Sequence, residues 1–420
     1  MSAADHTAPA AMSAVEAAAA IRDGAMTSEA LVHACLERIA KREPDIHAWE
    51  HLDPASVIRQ AMQRDTEDPR GPLHGVPVGI KDLIDTADQP TGYGSPIYEG
   101  HRPSRDATCV ERLRDAGAVI IGKTVTTEFA LFHPGSTRNP FDVTRTPGGS
   151  SSGSAAAVAD GMVPLALGTQ TAASVVRPAS FCGVFGLKPT FGSVPTDGVK
   201  AISPTLDTVG VFTRDTDDLR LALEVMSGAT LAAVRPPRIA FVKTPQWDQA
   251  DPTTRAALEG VASELSLPHA DLPPEFVALA DSQRTIMLAE AARHLAAEHR
   301  EHADALSDQL RDLLVAGGRI GDAELGRAQE HARRCRERVP DVFAEHDVLL
   351  APSAVGEAPR GIDATGDPLF GRIWTLLGTP CVAVPGLYGP GGMPLGVQVI
   401  AAPGADATAI AAARWLADRL

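Results

Sequence analysis

At 420 residues, with 44% hydrophobic and 22% charged residues, the chain is long enough to bury a sizeable core, as one large α/β domain or two smaller ones. A formal charge of −15 without a basic run argues against a nucleic-acid partner, because that affinity rests on clustered Lys and Arg releasing counterions. Five scattered cysteines, Cys35, Cys109, Cys182, Cys335 and Cys381, have no CxxC pair and fit a reduced, cytoplasmic thiol set; no basic-then-apolar leader and no run of about 18 apolar residues points to a secretory signal or a membrane.

Residues 1–70 read as helical, and Thr27-Ser28-Glu29 is a helix start followed by Leu31, Cys35 and Ile39 at four-residue spacing on one buried stripe. Residues 72–215 change character. Short apolar runs, Val76 to Ile80, Ala118 to Ile121 and Met162 to Leu167, alternate with Gly, Pro and Ser, and Ala107 to Ala116 reads as a helix ended by Gly117. Residues 216–235 are predicted helical and Arg238 to Val242 a short strand. From about 250 to 345 the chain is rich in Ala, Glu, Arg and His and reads as several amphipathic helices. Strand character returns at Asp347 to Pro352, Cys381 to Pro385 and Leu395 to Ile400, and a helix over about 405–419 closes the chain. Alternation of this kind favours a layered α/β architecture. Because strands flank residues 245–345 on both sides, that stretch reads as an excursion from one domain spanning 1–420, with residues 72–215 and 347–420 forming its core.

Three segments draw the eye for chemistry. Only six lysines occur, and one of them, Lys81, ends the apolar run Val78-Gly79-Ile80. If it ends a buried strand, desolvation lowers its pKa toward the range of a neutral general base; the alternative is pairing with Asp82 or Asp85. The run Gly148-Gly149-Ser150-Ser151-Ser152-Gly153-Ser154 leads straight into core-like Ala155 to Ala159, unlike a flexible linker, and lacks the Gly-Lys-Ser/Thr ending of a phosphate loop. It also matches G-x-S-x-G with Ser151 as nucleophile, but no strand precedes it and no histidine follows His346, as that elbow requires. His294, His299 and His302 lie without HExxH or a cysteine pair and read as a solvated helix face, not a metal site. The third segment, Gly168 to Pro178, carries a second serine, Ser174, 24 positions after Ser150.

Together Gly75 to Asp82, Pro147 to Ser154 and Gly168 to Pro178 resemble the amidase signature family, whose members hydrolyse amides through a Ser-cisSer-Lys triad. Phe181 to Thr190, Leu206-Asp207-Thr208-Val209-Gly210, Gly378-Thr379-Pro380 and Pro394 to Gln398 extend the resemblance, and Gly71 to Gly75, Ser150 to Ser154, Val175-Val176-Arg177-Pro178 and Thr365-Gly366-Asp367-Pro368 followed by Trp374-Thr375-Leu376 are similar to the malonamidase branch. The resemblance implies a large mixed β-sheet covered by helices on both faces, no cofactor or metal, a small-molecule amide substrate and room for a homodimer. It implies Ser174 as nucleophile, Ser150 as the cis serine that relays the proton, and Lys81 as base. Thr169 would support Ser150, and the backbone of Thr171, Ala172, Ala173 and Ser174 would form the oxyanion hole. Arg177, with Ser151 and Gln170, is expected on the substrate side, where a guanidinium would grip a carboxylate as in malonamate; the alternative is a structural arginine paired with an internal acid, for which Asp207 is a candidate. By the same likeness the chain is alternatively a silent binding protein or a glutamine amidotransferase A-type subunit. Ala172 and Ala173 depart from the Gly-Gly common in the family, and each Cβ would cost about 1 kcal/mol if its position needed positive φ.

Overall fold

The computed structural model describes residues 9–420. Its N-terminal third follows its caps. Ser13 and Glu16 form a capping box on helix Ala14–Arg22, and the Thr27 side chain accepts from Ala30 N to open helix Ser28–Ile46, which buries Leu31, Cys35 and Ile39 as one stripe. Between this helix and helix Pro54–Thr66 stands a strand the sequence pattern does not reveal, β1 (Trp49–Leu52). It has four residues, two of them Glu and His, and its start is fixed by the Glu43 carboxylate, which accepts from Ala48 N and Trp49 N.

The further strands are β2 (Pro77–Lys81), β3 (Val119–Thr124), β4 (Leu165–Gln170), β5 (Phe185–Lys188), β6 (Thr208–Thr213), β7 (Ile239–Val242), β8 (His269–Ala270), β9 (Val348–Pro352), β10 (Cys381–Tyr388) and β11 (Pro394–Ala401). All eleven join one sheet in the order β1-β3-β2-β4-β6-β5-β10-β11-β9-β7-β8. It is mixed: β2 runs parallel to β3 and β4, β4 to β9 are linked through antiparallel neighbours, and β7 is parallel to β8 and β9. Every residue of β2, β3, β4, β6, β9 and β11 is buried, and successive side chains of a strand point to opposite faces, so both faces of the sheet are covered.

Several expected elements shift. The helix after residue 107 runs Thr108–Asp115 and Gly117 follows at φ 91. The helix expected over 216–235 is Thr216–Ser227, ended at Gly228 in the left-handed region, and prolines 236 and 237 keep the rest irregular. The stretch from 245 to 345 is largely helical, yet it contributes β8 to the sheet edge, so it is not wholly an excursion.

Parallel pairing of β2 with β4, Val78 with Leu165 and Ile80 with Leu167, brings their carboxyl ends side by side. Lys81 and Thr169 thus meet where open α/β sheets commonly carry their sites.

Candidate active site

Lys81 is fully buried, and its Nζ lies 2.7 Å from Ser150 Oγ and 2.7 Å from Thr169 Oγ1. Neither nearby acid in the sequence neutralises it. Asp82 stands 3.5 Å from Lys123 Nζ, and Asp85 accepts from Tyr93 Oη. Burial therefore drives the Lys81 pKa well below that of a free lysine, opposed only by the more distant Asp207. The peptide bond Gly149–Ser150 is cis. Gly148, at φ 83, lies against the next segment of the site, and a Cβ there would fall 2.9 Å from Pro178 Cα.

Ser174 follows β4 in a short irregular turn before helix Val176–Cys182. Its Oγ has no hydrogen-bond partner among the described residues and is not among the sealed-off polar atoms, so it reaches solvent although the residue is only 8% exposed. No backbone N–H from Thr171 to Ser174 has an acceptor among the described residues, whereas the next two, of Val175 and Val176, both donate to Gln170 Oε1 at 2.9 and 3.1 Å. Four unspent donors beside an accessible hydroxyl are what an oxyanion needs.

The loop is held from outside. Thr171 Oγ1 donates to Asp207 at 2.6 Å, Gln283 Nε2 donates to Thr171 O at 2.8 Å, and Thr375 Oγ1 donates to Ala172 O at 2.7 Å. Gln283 and Thr375 lie on helices Leu279–His294 and Leu369–Leu377, 112 and 203 residues from their partners; Thr375 falls in a motif of the resemblance, but the sequence assigns neither residue this contact.

Three expected substrate contacts go elsewhere. Gln170 is fully buried and spends its carbonyl on Val175 and Val176 and its amide on Thr375 Oγ1, 2.9 Å away. Ser151 is fully buried too, its Oγ 3.2 Å from both Thr169 O and Thr169 N, which ties the serine run to the end of β4. Arg177 is 3% exposed; it donates to Gly149 O at 2.6 Å, Thr365 Oγ1 at 3.0 Å and Gly366 O. Its guanidinium holds the carbonyl next to Ser150, and its Nε is buried without a partner. The internal acid considered as its partner, Asp207, serves Thr171, Ile202 and Ser203 instead.

The two alanines carry no positive φ. Room for Ala173 comes from Gly371 opposite, where a Cβ would fall 2.6 Å from the Ala173 Cβ and 2.7 Å from Ala172 O. The backbone penalty expected for these alanines is therefore not incurred.

A fold of this topology with a buried lysine, a cis serine and an open serine beside free N–H groups defines a hydrolase-type site built without histidine. The amidase family profile matches residues 30–410, and the chain belongs to the amidase signature family, enzymes that act on amide C–N bonds. Among sequence relatives, the A-type subunit of the glutamyl-tRNA(Gln) amidotransferase from Chloroflexus aggregans is 34% identical over 452 residues, covering 93% of this chain and 92% of its own. Among solved structures, one described as an amidase superposes with a TM-score of 0.90 at 30% identity, covering 97% of this chain and all of its own length (100%). The native peptide amidase from Stenotrophomonas maltophilia does so at 0.82 and 29%, covering 97% and 96%. No helix among the described residues is long and apolar enough to cross a membrane.

Proposed function

We propose that the chain hydrolyses a small amide through an acyl-enzyme on Ser174. What carries this reading is the solvent-reaching Ser174 Oγ beside the four unspent N–H groups of Thr171 to Ser174, with a buried, unpaired Lys81 on Ser150. Neutral Lys81 takes the Ser150 proton while Ser150 takes that of Ser174, whose oxygen attacks the amide carbonyl. The oxyanion settles on the free N–H groups, each of which is worth on the order of 100-fold in rate. The proton returns by the same route to the leaving nitrogen, ammonia or an amine departs, and water repeats the sequence to release the acid. A substrate bearing a carboxylate, of the malonamate type, belongs to this reading.

A second reading is favoured by the sequence relatives: the chain is the amide-hydrolysing component of an amidotransferase. Relatives so described, 32–34% identical, cover 91–96% of the chain. Their alignments, over 448–473 residues, run longer than the 420-residue chain, so they carry segments with no counterpart here. Both readings share the Ser174 chemistry and differ in partners. A fluorophosphonate should label Ser174, and Ser174→Ala should abolish labelling and turnover. The isolated chain hydrolysing small amides supports the first reading. Glutamine hydrolysis that arises only on addition of partner subunits supports the second, and no labelling of Ser174 sinks both.

A further inference from the structure

The Arg177 Nη groups are committed to Gly149 O, Thr365 Oγ1 and Gly366 O, and its one unpartnered nitrogen, Nε, is sealed from solvent, so a carboxylate reaching the site meets no open donor there. A different pair of arginines is unspent. A cavity of about 530 Å³ opens between helices Leu279–His294, Asp308–Gly318 and Leu369–Leu377, lined by Phe132, Asp281, Arg284, Asp312, Asp367 and Arg372. Among the described residues, none of its five charged side chains forms an ion pair with another charged group. Arg372, half-buried, places a single N–H, 3.2 Å from Gln283 Oε1, and Arg284 places none. A guanidinium offers five donors, and with Arg284 exposed and Arg372 half-buried most of theirs face the open cavity and are free to meet a ligand.

The cavity is wired to the oxyanion loop. Gln283, which orients Arg372, donates its amide to Thr171 O, and Gly371, the residue before Arg372, packs against Ala172 and Ala173. Helix Leu369–Leu377 thus presents Arg372 on the wall next to the loop that ends in Ser174. Asp281, Asp312 and Asp367 are exposed around it. Asp367 and Asp281 lie near enough to act on Arg372, as does Arg284, so the charges oppose a polyanion, while a single compact carboxylate could pair with the two guanidinium groups and leave the exposed acids in water.

We propose that Arg372, with Arg284 beside it, binds the carboxylate of the amide substrate and makes the enzyme selective for short amides that carry one. This inference rests on the amide-hydrolase reading above, and it moves the anion receptor from Arg177, on the helix after Ser174, to helices Leu279–His294 and Leu369–Leu377.

The test compares malonamate and succinamate with the neutral diamides malonamide and succinamide, in wild type, Arg372→Gln and Arg284→Gln. Arg284 has no hydrogen-bond partner to lose, so its variant is the safeguard against misfolding. The wild type should prefer the anionic amides. Each variant should lose that preference by about 10- to 100-fold, as expected when a charge-assisted contact is removed, and should lose it through KM. Calorimetric titration with malonate and succinate gives a readout without turnover: binding should occur in wild type and vanish in Arg372→Gln. Equal turnover of charged and neutral amides with no binding of either dicarboxylate overturns the anion site and leaves the amidase reading standing. Dicarboxylate binding that depends on Arg372, without turnover of any of the four amides, supports the anion site while the small-amide reading fails.

Discussion

If Lys81 is the base, it must be neutral in the folded protein and charged in the unfolded one, which makes a measurable demand on stability. In the unfolded chain its pKa is near the ordinary 10.5; in the fold, burial with no adjacent carboxylate holds it well below that. Between those two values the unfolded state binds a proton that the folded state does not. The stability of the wild type therefore rises with pH across this window and stops changing below the folded pKa. For one fully coupled proton the slope is about 1.4 kcal/mol per pH unit. Lys81→Met keeps the apolar stem and removes the proton, so its stability lacks this slope. The absolute difference between the two proteins mixes several effects, because the variant also strips Ser150 and Thr169 of a partner, at a cost of about 1–3 kcal/mol for each group left unsatisfied. The pH dependence of the difference isolates the proton. Lys123 and Lys188, also buried and also lowered by burial, are present in both proteins and cancel.

The assay is denaturant unfolding followed by tryptophan fluorescence at a series of pH values from neutral to about 10.5, the ordinary lysine value, on wild type and Lys81→Met. Wild-type stability should gain on the variant steadily with pH. A flat difference would mean that folded Lys81 holds its proton throughout the range, and a proton-holding amine cannot deprotonate Ser150.

The same neutral amine sets the rate profile: kcat/KM should fall on the acid side as Lys81 takes up a proton, with a slope of one, and a rate independent of pH through the acid limb would contradict its role as base. Gly371→Ala puts a Cβ 2.6 Å from that of Ala173 and 2.7 Å from Ala172 O, so it should cost about 1–3 kcal/mol of stability and lower kcat by displacing the oxyanion loop, read by thermal unfolding and turnover. Gln170→Leu removes the acceptor of Val175 N and Val176 N; we expect a loss of about 1–3 kcal/mol and a drop in kcat with little change in KM, whereas a substrate-binding glutamine would raise KM instead.

The strands that carry Lys81 and Thr169 are legible in the sequence because they are short apolar runs bounded by glycine and proline. The helix boundaries at Thr27 and Gly117 are legible because Thr and Gly start or stop helices by local chemistry. Lys81 stands out as a rare lysine at the end of such a run, but its isolation from Asp82 is not written there, since Lys123, the partner of Asp82, lies on another strand. β1 leaves no trace because an edge strand with Glu and His in it has no apolar alternation to read. For Arg177, Gln170 and Ser151 the sequence gives a place beside the nucleophile and no direction. Which way a buried polar side chain turns depends on acceptors such as Gly149 O, Thr375 Oγ1 and Thr169 O, and those are set by packing between segments far apart in the chain.

The alanines before Ser174 show how such distant packing bears on catalysis. A Gly-Gly pair leaves a loop free to move, and two alanines narrow that freedom by lowering the entropy of the unfolded chain and filling space in the folded one. At Ala172 and Ala173 the backbone is not in the left-handed region, so the substitution carries no conformational penalty, and Gly371 supplies the volume that the Ala173 methyl occupies. Thr375 and Gln283 then hold the carbonyls of Ala172 and Thr171, while the N–H groups of Thr171 to Ser174 have no acceptor among the described residues and would be available to a developing negative charge. The loop thereby exchanges intrinsic flexibility for support from helices Leu279–His294 and Leu369–Leu377. Those same helices carry Arg284 and Arg372, so the elements that stiffen the oxyanion loop are the ones that would sense a bound carboxylate. If Arg372 and Arg284 bind the substrate carboxylate, recognition and transition-state stabilisation would share one support, and a change in either helix would be felt by both.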